Sequence, residues 1–264
     1  MEHRLAYAIR SDPDDAAERP VFVLGCSWRC GSTLLQRYVN STGEVFVWGE
    51  NAGLMSKLLE AFGRIRSWDR FLGDQKADLA RLGNNAWIAN LNPEDDRLPE
   101  ALRAFLLSYY AGEPTQPGVR WGFKEVQHDA AVAQALLRAF PHGRVVFLTR
   151  RLEGVLASIG AADWRDEVGG LKGAARQWVG ALESFLRLDD DRVLTLRYED
   201  LVGSPLMATR KLGDHLNIPV WRFDREVLAT KVRGYVGQPK LRLAARMELA
   251  RPEVKRLMEQ YDYA

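Results

Sequence analysis

The stretch "VFVLGCSWRCGSTLLQRYVN", residues 21–40, decides how the chain is read. Four consecutive apolar residues, Val21 to Leu24, make a buried strand. Gly25 ends it. Small and polar residues follow, then Gly31-Ser32-Thr33, then an amphipathic run with Leu34, Leu35, Tyr38 and Val39 on one side of a helix over 32–39. A glycine-bearing turn between a strand and a helix presents backbone N–H groups to an anion, and the helix dipole adds partial positive charge. A triphosphate-binding P-loop reads G-x-x-x-x-G-K-[ST]. Here the glycines stand one residue further apart, Ser32 occupies the lysine position, and Arg29 lies two residues before Gly31. Arg29 brings a permanent cation with a planar donor fork, suited to a pair of phosphate or sulfate oxygens.

The rest of the composition confines the anion site to that neighbourhood. The chain has 264 residues, 47% hydrophobic and 27% charged, enough to bury a full core. Lys and Arg number 37 and Asp and Glu 35, a net charge of +2. That balance excludes nucleic acid as the main ligand. Two cysteines, Cys26 and Cys30, make no disulfide framework and no zinc site of finger spacing; they read as small packing residues in a reducing compartment. Neither a signal peptide nor an apolar run of about 18 residues is present, so the expectation is a cytoplasmic protein without a transmembrane segment.

Strands alternate with helices along the chain. "EVFVWGE" (44–50), "VRWGFKEVQ" (119–127), "RVVFLTR" (144–150) and "RVLTLRYEDL" (192–201) read as strands, the last running into a turn. Helices are expected over 52–66, 99–110, 129–140, 152–159, 171–188 and 204–218, the last with Ser204 as cap and Pro205 at its first position. The fold class is therefore α/β: a P-loop-like, open, mostly parallel sheet with helices on both faces. One domain spans 1–264, with a loose lead-in over 1–19 and a helical insertion over about 52–118, close to where an acceptor would sit.

A loop without its lysine suits a 5′-phosphate that carries one more group of lower charge, as a phosphosulfate does. Two distant segments fit the same ligand. Arg150 closes a strand and Ser158 follows eight residues later in the next helix, while "RYEDL" closes another strand; ligands of open α/β sheets bind at such ends. With "RCGSTLL", "FPHGRVVFLTRRLEGVLAS" and "RYEDL" in this order, residues 20–218 resemble the sulfotransferase family that uses 3′-phosphoadenosine 5′-phosphosulfate (PAPS). The resemblance is to its bacterial and Golgi-type branch. The cytosolic branch has K-T-H with histidine as base, and this chain has Lys124-Glu125-Val126.

The resemblance implies roles residue by residue. Arg29, Cys30, Gly31, Ser32 and Thr33 would hold the 5′-phosphosulfate, and Arg150 and Ser158 the 3′-phosphate. Tyr198 would lie near the adenine, with Glu199 and Asp200 ordering their own turn. Leu34 replaces a tryptophan that stacks on adenine in cytosolic members. Glu50, Lys124 and Arg29 form the catalytic set: Glu50 as general base, helped by partial burial beside Trp48, and Lys124 beside the bridging oxygen of the departing phosphate. Glu125 and His128 stand second and third as bases. PAPS is the co-substrate, no metal is required, and the acceptor is a hydroxyl or amine on a small molecule, carbohydrate or lipid-type compound. Trp87, Phe105, Tyr109 and Tyr110 of the insertion, with Trp68 and Phe71, read as pocket or core. Arg233 or Lys240 in the basic stretch 231–246 could close over the nucleotide. The residues alone leave two other readings: a phosphotransferase with a variant P-loop, and a non-catalytic nucleotide-binding protein.

Overall fold

The strand at residues 21–25 lies at the centre of the sheet. The computed structural model describes residues 15–69, 75–89, 91–92, 97–111, 118–229 and 243–263. β1 (Val21–Gly25) is followed by α1 (Ser32–Asn40) and β2 (Val45–Trp48). The helices α2 (Leu54–Asp69), α3 (Gln75–Leu82) and α4 (Leu98–Tyr110) precede β3 (Arg120–Glu125). Then come α5 (Ala130–Ala139), β4 (Arg144–Thr149), α6 (Leu152–Gly160), α7 (Gly170–Phe185) and β5 (Val193–Arg197). The chain continues through α8 (Tyr198–Gly203), α9 (Pro205–Leu216), α10 (Glu226–Ala229), α11 (Leu243–Leu249) and α12 (Pro252–Gln260).

The five strands pair in parallel in the order β2-β3-β1-β4-β5, flanked by helices. All five residues of β1 are buried, whereas edge strand β5 buries only Leu196. That gradient explains why the centre reads as a continuous apolar run and the edge does not. Phe22 packs against Trp121, Phe123 and Phe140, with ring centroids 5.8, 5.0 and 6.1 Å away, and Tyr110 of α4 stacks on Trp121 at 5.9 Å. Each such buried ring contributes about 1.5–3 kcal/mol relative to exposure. Tyr110 is thus a core residue, while Trp87, Phe105 and Tyr109 are exposed.

The topology creates a crevice. After β1 the chain heads toward β2 at one edge; after β4 it heads toward β5 at the other. The two connections diverge above the carboxyl ends of neighbouring strands, the place where open α/β sheets bind ligands. Among the described residues no helix is long and apolar enough to cross a membrane.

Several boundaries differ from the sequence expectation. β2 ends at Trp48, so Gly49 and Glu50 belong to a loop in which Ala52 and Gly53, beyond Asn51, have left-handed backbone angles. β5 ends at Arg197, and Tyr198 opens the short helix α8 instead of closing a strand. Ser204 precedes α9 with Pro205 in the first turn, but its hydroxyl makes no capping hydrogen bond; its carbonyl accepts from Met207 and Ala208 N–H instead. Residues 1–14 of the lead-in, Phe71, and Arg233 and Lys240 of the basic stretch lie outside the described residues.

Candidate active site

The loop after β1 is held in a conformation its residues do not favour on their own. Arg29 has φ +64°, a left-handed value that costs a non-glycine residue about 1–2 kcal/mol. Two contacts across the crevice offset that cost. Arg29 Nε donates to Ser158 Oγ at 2.8 Å, and the Arg29 carbonyl accepts from an Arg150 Nη at 2.7 Å. Gly31, at φ +97°, sits against Tyr198, where a Cβ would fall 2.4 Å from the ring. Backbone angle and neighbour both require glycine there. α1 begins immediately after with no side-chain cap; the Leu34 and Leu35 amides donate to the Gly31 carbonyl at 2.9 and 3.1 Å, which leaves the Ser32 and Thr33 amides as the ones with no carbonyl partner within the helix. Ser32 is buried at this helix start and Thr33 is exposed.

Arg150 leaves the end of β4 and lies over two surfaces. Its guanidinium carbon is 4.4 Å from the centroid of the Tyr198 ring. On α6, Gly154 leaves room for it, since a Cβ there would meet Arg150 Nε at 2.9 Å. The backbone around Arg150 is fixed by residues the sequence reading did not assign to it. Trp178 Nε1 donates to the Arg150 carbonyl at 2.8 Å, and Arg151 N–H donates to Glu199 Oε1 at 3.0 Å. The Tyr263 hydroxyl, from the turn after α12, donates to Thr149 Oγ1 at 2.6 Å. Burial pushes the Tyr263 phenol well above its ordinary range, so it remains a donor. Glu199 therefore steadies the β4–α6 turn rather than only its own. Arg29, Gly31, Arg150, Ser158 and Tyr198 form one connected cluster at the carboxyl ends of β1 and β4.

Lys124 and Glu50 form the other half. Lys124 is opposite Val23 in the pairing of β3 with β1, and two residues later Val126 touches the start of the loop, 3.0 Å from where a Gly25 Cβ would lie. Lys124 is almost wholly buried and its ammonium pairs with Glu50 Oε1. The Glu50 side chain is 41% exposed, so it is not the partly buried acid expected beside Trp48; the loop lifts it toward solvent. Glu125 is fully buried with both oxygens occupied: Oε2 accepts from Asn51 and Gly53 N–H at 3.0 Å each, and Oε1 from Val126 N–H at 2.7 Å. Three backbone N–H groups take up most of the acceptor sites of this buried carboxylate. His128 is buried too, its Nδ1 2.9 Å from Ser56 Oγ, and burial lowers its pKa. Both are buried, whereas the Glu50 side chain reaches solvent.

Cys26 and Cys30 are free thiols, fully buried beneath the loop. The hydrogen bond from Cys26 draws the Cys30 thiol down to about 7 against its burial, with help from the Ser32 and Ser27 amides. Burial holds Cys26 above the usual thiol range. Cys30 is thus packed within the loop with none of its surface exposed. Among the described residues no group of three or more His, Cys, Asp or Glu is arranged to hold a metal ion.

Comparison with known proteins agrees with this fold. The chain is similar over 93% of its length, at 18% identity and a TM-score of 0.56, to the "Sulfotransferase Domain from the Curacin Biosynthetic Pathway", of which it covers 98%. It is similar over 97% of its length, at 17% identity and a TM-score of 0.53, to the "Sulfotransferase Domain from the Synechococcus PCC 7002 Olefin Synthase", again covering 98% of that chain. No curated protein sequence matches it. The sequence profile described as "Sulfotransferase family" matches residues 20–222, most of the chain, and the chain belongs to that family.

Proposed function

We propose that the protein is a sulfotransferase of the bacterial type that moves a sulfuryl group from PAPS to a hydroxyl or amine acceptor by in-line displacement. The observation that carries this reading is the direct linkage of Arg29 to Ser158 and of Arg150 to the Arg29 carbonyl. Two clusters 121–129 residues apart in the chain meet in one crevice, as a nucleotide with phosphate at both its 3′ and 5′ positions requires. The donor set fits that ligand: two guanidinium groups, the Ser158 and Thr33 hydroxyls, and the amides at the start of α1. Arg29 exchanges Ser158 for the 5′-phosphosulfate, and Arg150 with Ser158 takes the 3′-phosphate, the group that separates this donor from ATP.

PAPS supplies a sulfuryl group on an activated phosphate. Glu50 takes the proton from the acceptor as its oxygen or nitrogen attacks sulfur, and Lys124 places its charge beside the bridging oxygen as the S–O bond breaks. In the free protein these two groups neutralise each other. Nucleotide binding gives Lys124 a phosphate partner and releases Glu50 to the acceptor. By analogy with phosphoryl transfer, most of the rate comes from positioning and electrostatics. The helices α2–α4 are the acceptor side of this reading, for a small-molecule, carbohydrate or lipid-type acceptor, within a single domain. A cytoplasmic setting accords with the two free thiols.

The test is binding and transfer together. Adenosine 3′,5′-bisphosphate should bind in titration calorimetry and resist displacement by ATP. Radiolabelled sulfate should pass from PAPS to a component of a mixed metabolite extract with EDTA present. Equal competition by ATP, with labelling that requires Mg²⁺, would assign the site to phosphoryl transfer instead.

A further inference from the structure

Between β2 and α2 the backbone turns through two consecutive left-handed residues, Ala52 at φ +55° and Gly53 at φ +73°. Successive turns of this kind aim N–H groups into a concavity that receives an anion. Here the anion is internal. Glu125, fully buried at the end of β3, accepts the N–H groups of Asn51 and Gly53 on one oxygen and that of Val126 on the other. Asn51 in turn accepts the Leu54 N–H on its side-chain oxygen at 3.2 Å, joining the turn to the start of α2. Glu50 is the residue immediately before this turn, and its carboxylate meets the ammonium of Lys124, the residue immediately before Glu125. Two adjacent residues of β3 therefore hold the same short segment, one by its backbone and one by its terminal carboxylate.

We infer that Glu125 is the positioning residue for the general base: its carboxylate fixes the backbone of residues 51–53 and thereby sets where Glu50 stands relative to Lys124. This rests on the assignment of Glu50 as base. Glu50 is partly exposed on a loop and has no other described hydrogen-bond partner to orient it. Without a fixed backbone behind it, the base would sample many positions, and misplacement by about 1 Å can cost a hundredfold in rate. An amide at position 125 keeps the size but not all three acceptances, because its NH2 end opposes either the Val126 N–H or those of Asn51 and Gly53.

The experiment is a double-mutant cycle on turnover, with the labelled-sulfate assay sensitive enough to follow residual rates. Glu125→Gln should fold, bind adenosine 3′,5′-bisphosphate with unchanged affinity, and lose about ten- to a hundredfold in kcat with little change in KM for PAPS. In a Glu50→Gln background the same substitution should cost almost nothing further, because it acts through Glu50. A loss equal in both backgrounds, or no loss in either, overturns the inference and leaves Glu125 as a purely structural acid. Full turnover in Glu50→Gln alone is a separate result: it removes the carboxylate-base reading on which the inference rests. Should Glu125→Gln not fold, Glu125→Asp keeps the buried charge but shortens its reach, and the same cycle then decides the question by the same two outcomes.

Discussion

The loop after β1 and the turn after β4 are tied to each other from both directions, whereas Glu50 reaches Lys124 from a loop that is itself held by a third residue. On the proposed donor side, Arg29 and Arg150 bond across the crevice, Tyr198 backs both Arg150 and Gly31, and Trp178, Glu199 and Tyr263 brace the backbone behind. On the proposed acceptor side, one ion pair and one buried carboxylate support the chemistry, beside helices with exposed Phe105 and Tyr109. The difference teaches where variation is tolerated. A donor common to a whole family needs a rigid grip; an acceptor that differs between members needs a side that can change without disturbing that grip.

The comparison predicts that the two halves fail differently. Replacing Lys124 by Ala should lower kcat by about 10²–10³, since it removes charge stabilisation that grows as the bond breaks. The fold should survive, because the Glu50 carboxylate left behind is 41% exposed and can hydrate. Affinity for adenosine 3′,5′-bisphosphate should fall far less than turnover, and a matched fall in both would place Lys124 in the donor grip instead. Arg150→Lys is the complementary change. It keeps the charge but loses the flat contact with Tyr198 and the bond to the Arg29 carbonyl. The nucleotide should bind roughly tenfold more weakly, with kcat at saturation little altered. Unchanged affinity would mean that Arg150 serves only as a point charge and that the cross-crevice bond adds nothing.

How much of this the sequence made legible follows the same division. β1 and β4 are read correctly because central parallel strands are buried on both faces and show it as unbroken apolar runs. The strand–loop–helix form of residues 21–40 is readable because the turn needs a glycine at Gly31, φ +97°, and the helix that follows has a clear apolar side. What is not local is not readable. Nothing near Glu199 reveals that it accepts from the Arg151 amide 48 residues away, and nothing near Tyr263 reveals Thr149. Glu125 reads as a candidate base because its partners, the amides of Asn51 and Gly53, lie 74 and 72 residues upstream. Glu50 reads as the end of a strand because the left-handed turn that lifts it out involves Ala52, a residue with no preference for that conformation.

Acid offers the smallest effect and a direct comparison of the two halves. His128, on the proposed acceptor side, has Nδ1 at Ser56 Oγ and a buried Nε2 without a partner among the described residues; His215, on α9 behind β4, donates from Nε2 to the Val145 carbonyl at 3.0 Å. Burial lowers both pKa values below the ordinary 6.5, with Glu125 and Asp129 opposing that shift at His128, Arg144 reinforcing it at His215 and Asp191 opposing it there. As pH falls through 6.5 the unfolded chain takes up protons first, so stability present above that value is lost toward the lower folded-state values. Thermal unfolding midpoints should therefore drop between about pH 7 and about pH 5. His128→Asn, which retains a group at the Nδ1 position, should flatten that drop more than His215→Gln, which retains one at Nε2. The His128 residue is only 1% exposed, while His215 is partly open to solvent that can hydrate its charged form. A larger flattening from His215→Gln would mean that acid loosens the β4 side first, and that the donor grip is the less rigid of the two.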